Sequence, residues 1–159
     1  SNMMRTSGCG KWGILLLGLS LAAVWLAPPE ALGAKAPPRG VPEAESKDPA
    51  YWFQKGALCA TYGNNQAAVR YFGRSIALDP GRSAPFFSQG VSYGQLGQYE
   101  KAFAAINRAI EMEPRNGLYF YGRARTCMLA GDRQRALEDF RTAAQLGDED
   151  AQAYLKTVK

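Results

Sequence analysis

The sequence predicts an all-α solenoid of three helix-turn-helix repeats closed by a C-terminal capping helix. Three observations predict it. Gly63, Gly97 and Gly131 stand 34 residues apart. Around each, the same residue types return at the same offsets: a large aromatic eleven before (Trp52, Phe86, Phe120), a small residue seven before (Gly56, Gly90, Ala124), alanine five after (Ala68, Ala102, Ala136) and a bulky apolar residue four further on (Phe72, Ile106, Phe140). Two units close on Pro80 and Pro114, and the third carries Asp148 at that place. A period of this length decides the fold before local propensity does.

Each element follows from that frame. In the first unit a helix fits from Tyr51 to Tyr62, with Trp52, Gly56 and Cys59 on one face at i, i+4 and i+7. A second helix fits from about Gln66 to Leu78, where Ala68, Phe72, Ser75 and Ile76 share a face. The small residue on the first helix and the alanine on the second let the two axes approach, and the aromatics fill the flanks. Gly63, Gly97 and Gly131 suit the left-handed conformation that ends a helix. Asn64 and Asp132 are good N-caps for the next helix, and Gln98 is a poorer one. Pro80 and Pro114 stop the second helices. Asp148, Glu149 and Asp150 suit the N-terminus of a last helix, about Ala151 to Val158, that covers the exposed side of the third unit.

The stretches WFQKGALC…AAVRYF…DP, FFSQGVSY…KAFAAI…EP and, more weakly, FYGRARTC…RALEDF resemble the tetratricopeptide repeat, with its W-x2-L-G-x2-Y, A-x3-F and P pattern. The resemblance covers residues 49–150 as units 49–82, 83–116 and 117–150, with 151–159 as the capping helix. It implies a right-handed superhelix whose first helices line a concave groove that holds peptides. One departure is consistent: Lys55, Gln89 and Arg123 stand where the family has leucine. Their alkyl stems are expected to cover the core while the polar heads reach water.

Ahead of the repeats, Ser1-Asn2 before Met3 reads as an expression remnant. Arg5 and Lys11, the uncharged run Trp12–Pro29 and the small residues after it describe a signal peptide over 3–33, cleaved after Gly33. The rival reading is an uncleaved membrane anchor, although the run is short of the roughly 20 apolar residues that span a bilayer comfortably. Residues 34–48, AKAPPRGVPEAESKD, read as a Pro-rich linker.

The net charge of +5 falls to +4 when residues 1–33 are removed with Arg5, Lys11 and Glu30. That balance does not point to nucleic acid. The local excess of arginines, Arg115, Arg123, Arg125, Arg133, Arg135 and Arg141, is expected to be partly self-paired, Arg135 with Asp139 and Glu138 with Arg141. Cys59 and Cys127 occupy equivalent positions two units apart and are expected to stay free thiols, too distant for the ~7 Å limit of a disulfide. Cys9 precedes the apolar run and is no lipid-attachment site of the usual pattern. The chain has no histidine and no phosphate-cradling glycine loop, so neither an enzyme nor a metal or other cofactor is expected.

What remains is surface. Phe53, Phe87 and Tyr121 follow the packing aromatics and point about 100° away from them. One turn on, their face carries Ala57, Val91 and Arg125, then Ala60, Gly94 and Met128. The resemblance places this face in the peptide groove: Phe53, Ala57, Phe87, Val91, Gly94, Tyr121, Arg125 and Met128. The lysine and asparagine of the family's carboxylate-clamp members are absent, since Phe53 and Ala57 hold those places. The competing reading is that these aromatics only pack between adjacent first helices. The expected function is an exported module of the periplasm or other extracytoplasmic space, binding a protein or peptide segment as adaptor or scaffold of an envelope complex. The alternatives are a membrane-anchored structural subunit, with attachment through the N-terminal segment or self-association, and an anion-binding module using the third unit's arginines.

Overall fold

The computed structural model describes residues 46–158. They form helices only: α1 (Pro49–Thr61), α2 (Asn65–Leu78), α3 (Ser83–Gln95), α4 (Tyr99–Met112), α5 (Gly117–Ala130), α6 (Arg133–Gln145) and α7 (Glu149–Thr157). The expectations on Cys9, the apolar run and most of the linker fall outside the described residues.

The first helix of each hairpin is closed by a left-handed glycine. Gly63, Gly97 and Gly131 have φ of 78°, 73° and 84°, and Gly147 joins them at 94° before α7. The Asp48, Asn64, Asp132 and Asp148 side chains accept from the backbone N–H of Ala50, Ala67, Arg135 and Ala151. Gln98 makes no such bond, as expected of a poorer cap.

Within each unit the small residues set the spacing. A Cβ added at Gly56 would lie 2.7 Å from the Phe72 ring, and one at Gly90 would lie 2.6 Å from Ile106 Cγ1. In the third unit Ala124 takes that place, fully buried with Ala136 and Phe140. The alanines Ala68, Ala102 and Ala136 are all buried beside Phe72, Ile106 and Phe140. This is the helix-to-helix contact that the repeat pattern predicts. The successive hairpins stack, α2 on α3 and α4 on α5, and α7 closes the array by packing on α6. The Tyr154 ring of α7 lies 4.2 Å from that of Phe140.

The aromatic row deviates from the expected register. Trp52 is buried, but Phe86 and Phe120 are only half-buried, and the residues one place earlier, Pro85 and Tyr119, are buried instead. The reason is the neighbouring unit. Tyr119 meets the Phe87 ring at 4.7 Å and its hydroxyl lies 2.8 Å from Ser83 Oγ, so α5 is turned toward α3.

The three polar departures also do more than cover the core. Gln89 donates from Nε2 to the Val69 carbonyl of α2. Arg123 donates from Nε and Nη2 to both oxygens of Asp139 and from Nη1 to Asn107 Oδ1 of α4. Lys55 lies over the rings of Tyr51 and Tyr71. Asp139 is therefore paired with Arg123 and not with Arg135, whose guanidinium lies over the Phe103 ring at 4.9 Å. Cys127 is buried, Cys59 is half-buried, and both are free thiols.

Candidate functional site

The first helices carry the candidate surface, and the stacking of α3 on α5 makes its floor. Gly122 shapes that floor: a Cβ there would lie 2.3 Å from the Phe87 ring, so a larger residue would have to displace that ring. Beside this contact is a cleft lined by Phe87, Val91, Leu118, Tyr121, Arg125 and Leu129 among others, predominantly apolar. A second cleft continues toward α1 along Ala57, Ala60, Phe72, Phe87 and Val91. A third continues toward α7 along Tyr121, Arg125, Met128, Leu129, Phe140 and Tyr154. Gln95 lines all three and marks their junction.

Six of the eight residues expected from the sequence line this surface: Ala57, Phe87, Val91, Tyr121, Arg125 and Met128. Phe53 and Gly94 do not line these clefts. The Phe53 ring turns to Phe72 at 5.6 Å, with the Arg82 guanidinium 5.9 Å from its centroid. Gly94 is buried, with Thr126 of α5 packed where a side chain would stand. Phe87 serves both readings at once, as a packing ring between α3 and α5 and as the floor of the cleft. Sequence reasoning missed Gln95, Leu118, Leu129 and Tyr154. Leu118 and Leu129 are half-exposed large apolar residues, and that exposure is a property of the fold.

The electrostatics of the surface are simple. Arg125 is exposed, its guanidinium lies 5.9 Å from the Tyr121 ring, and it has no ion-pair partner among the described residues. It is the one charged side chain lining the three clefts. No group of three or more His, Cys, Asp or Glu that could hold a metal ion occurs among the described residues. Burial pushes the Cys127 thiol above its ordinary value, which disfavours the reactive thiolate.

Residues 86–116 match the family model described as tetratricopeptide repeat. The matched stretch falls within the second unit, 83–116. Serine/threonine-protein phosphatase 5 of Mus musculus is 27% identical over 89 residues, covering 56% of this chain and 18% of that protein. DnaJ homolog subfamily C member 7 of Homo sapiens is 32% identical over 74 residues, covering 46% and 15%. The chain thus spans less than a fifth of either relative. Among solved structures, YrrB, a TPR protein with an unusual peptide-binding site, aligns with a TM-score of 0.65 at 19% identity over 72% of this chain and 59% of that one. The first TPR of Spaghetti (RPAP3), bound to the HSP90 peptide SRMEEVD, aligns with a TM-score of 0.63 at 16% identity over 72% and 92%. These structural likenesses show the fold, an all-helical repeat solenoid. TPR proteins are protein-protein interaction modules, some of which bind peptides, and the fold is typically a non-catalytic scaffold.

Proposed function

We propose that the chain is an exported interaction module that takes an apolar segment of a partner protein in the cleft of Phe87, Val91, Leu118, Tyr121 and Leu129. The observation that carries this reading is the single exposed cation, Arg125, on an otherwise uncharged and predominantly apolar surface. Apolar walls supply affinity by area removed from water. A cation without an acid beside it supplies direction, by pairing with a carboxylate of the bound segment. The HSP90 peptide held by the RPAP3 neighbour has an acidic end of that kind, but the clamp lysine and asparagine of chaperone-tail receptors are replaced here by Phe53 and Ala57. The expected ligand is therefore richer in bulky apolar residues than that peptide.

The test is selection from a random peptide library with free C-termini. Enriched peptides are expected to combine bulky apolar residues with a carboxylate. They should bind the Arg125→Glu/Leu129→Ser variant at least about tenfold more weakly, a loss of roughly 1.4 kcal/mol. Both positions are exposed, so the variant keeps the fold. Equal binding by the two proteins would place the site elsewhere.

Export is supported by the basic start and the uncharged Trp12–Pro29 run. Expression in a secreting host followed by intact-mass measurement decides it. A mass beginning at Ala34 supports release of an adaptor or scaffold, and an uncut chain in the membrane fraction supports the anchored subunit. The anion-binding reading is less favoured, because Arg123 is already bound to Asp139 and Asn107 and Arg135 lies over Phe103.

A further inference from the structure

Residues at i, i+4, i+7 and i+11 share one face of a helix. On α3 that face includes Pro85, Gln89 and Ser92, and on α5 it includes Tyr119, Arg123 and Thr126. In both helices it docks on the preceding unit. Gln89 bonds the Val69 carbonyl of α2, Arg123 bonds Asn107 of α4, Thr126 packs on Gly94 of α3, and Pro85, Ser92, Tyr119 and Thr126 are buried.

The matching positions on α1 are Tyr51, Lys55, Leu58 and Tyr62. They are the most apolar version of the face, with Leu58 where the other units have Ser92 and Thr126. Yet Leu58 is 58% exposed and Tyr62 is 81% exposed. The two ends of the array differ in this respect, since α7 covers the last unit. The charge is also one-sided. Residues 49–78 contain Lys55, Arg70 and Arg74 and no acidic residue. Arg74 lies over the Trp52 ring at 4.4 Å, beside the same flank.

We propose that this flank of α1, uncovered among the described residues, is a second docking surface, distinct from the groove, and that its occupant is an acidic amphipathic helix of a partner protein. The helical form follows from continuity with the two unit-to-unit interfaces, where the equivalent stripe receives the helices of a preceding hairpin. The acidic character follows from charge complementarity with the bodies of α1 and α2, whose residues 49–78 include cations and no acid, the nearest acids being the capping residues Asp48 and Asp79. Apolar side chains of the helix would cover Leu58 and Tyr62, and its carboxylates would face Arg74.

The probe is a helix-stapled peptide of residues 99–112. That is α4, which in the fold presents Asn107 to Arg123 and the Phe103 ring to the third unit. An acidic version carries Lys101→Glu and Arg108→Glu, both at exposed positions. Binding to the full chain is followed by fluorescence anisotropy. The acidic peptide is expected to bind at least about fivefold more tightly than the parent peptide, with a difference that shrinks at high salt. The Leu58→Ser/Tyr62→Ser variant, altered only at exposed positions, is expected to lose that binding, while Arg125→Glu/Leu129→Ser keeps it. Failure of the acidic peptide to bind, or equal binding by the Leu58→Ser/Tyr62→Ser variant, overturns the proposal. So does sedimentation showing a dimer that this variant dissolves, which would make a second copy the occupant. Binding of the protein to anionic phosphatidylserine vesicles through Leu58 and Tyr62, without peptide binding, overturns it in favour of a membrane surface.

Discussion

A methyl group at Gly90 would lie 2.6 Å from Ile106 Cγ1 and also 2.9 Å from the Ala102 carbonyl oxygen. The first neighbour can rotate away, but the second is backbone, so α4 itself must move. Gly90→Ala is therefore expected to destabilise by about 1–3 kcal/mol, although alanine gains close to 1 kcal/mol of helix propensity over glycine. Denaturant unfolding at fixed m-value measures it, and a stabilised variant would mean the α3–α4 spacing is looser than described. Cys127 gives a second residue-scale expectation. Burial raises its thiol above the ordinary value and the side chain is inaccessible, so alkylation should follow opening of the α5–α6 hairpin. Its labelling rate should rise with denaturant in step with loss of helicity, and immediate labelling in native buffer would contradict the burial.

Between helices, two polar clusters hold the stack. Arg123 bridges Asp139 of α6 and Asn107 of α4, with the Asp139 side chain only 7% exposed and that of Arg123 19% exposed. Removing one partner strands the other charge, so Asp139→Ala is expected to cost about 3 kcal/mol, the lower end for breaking a buried pair. Replacing both by apolar residues, as in Arg123→Met/Asp139→Leu, should recover most of that loss; a double variant as unstable as the single one would show that packing around Asp139 matters more than charge. The second cluster joins the start of α3, the end of α4 and α5. The Ser83 hydroxyl donates to the Glu113 carboxylate, Asn116 Nδ2 donates to the same group at 3.0 Å, and Tyr119 meets Ser83. These donors, Ser83 first and Asn116 second, hold the Glu113 carboxyl below its usual range. A carboxylate depressed in the folded state contributes stability at neutral pH that is lost as pH falls through its folded value. Thermal melts are expected to show this loss below the ordinary glutamate range, and Glu113→Gln should flatten that part of the profile. Neither cluster was legible in the sequence. Arg123 and Asp139 are sixteen residues apart on different helices, and only the facing of α5 and α6 shows that they meet.

Across the whole molecule, what the sequence revealed and what it hid divide along one line. The 34-residue interval, the caps and the Gly56, Gly90 and Ala124 contacts were legible because each depends on one hairpin: a left-handed turn needs glycine, and a close crossing needs a missing side chain. The burial of Pro85 and Tyr119 in place of Phe86 and Phe120 was not, because it depends on how one hairpin turns against the next. The groove shows the same division. Phe87, Val91, Tyr121 and Arg125 follow from the face they share, whereas Gln95, Leu118, Leu129 and Tyr154 enter it only through stacking. Stacking also predicts that removing α7 by ending the chain at Leu146 lowers the melting temperature, since Phe140 and Ala143 lose their cover. An unchanged melt would show that α7 is dispensable.

Trp52 carries one more consequence. Its ring is buried, stacked on Tyr71 at 5.7 Å, and its Nε1 donates to the Ser46 carbonyl. Trp12 and Trp25 are the other tryptophans in the chain, and cleavage after Gly33 would remove both. Tryptophan emission from a chain so cleaved thus comes from the first hairpin alone, while circular dichroism averages all the described helices. In an array held together by nearest-neighbour contacts, the end with an open flank frays first. The tryptophan-fluorescence midpoint should then fall below the dichroism midpoint, and the gap should close when a ligand clasps α1, which makes a single tryptophan the gauge of where along the array a partner binds.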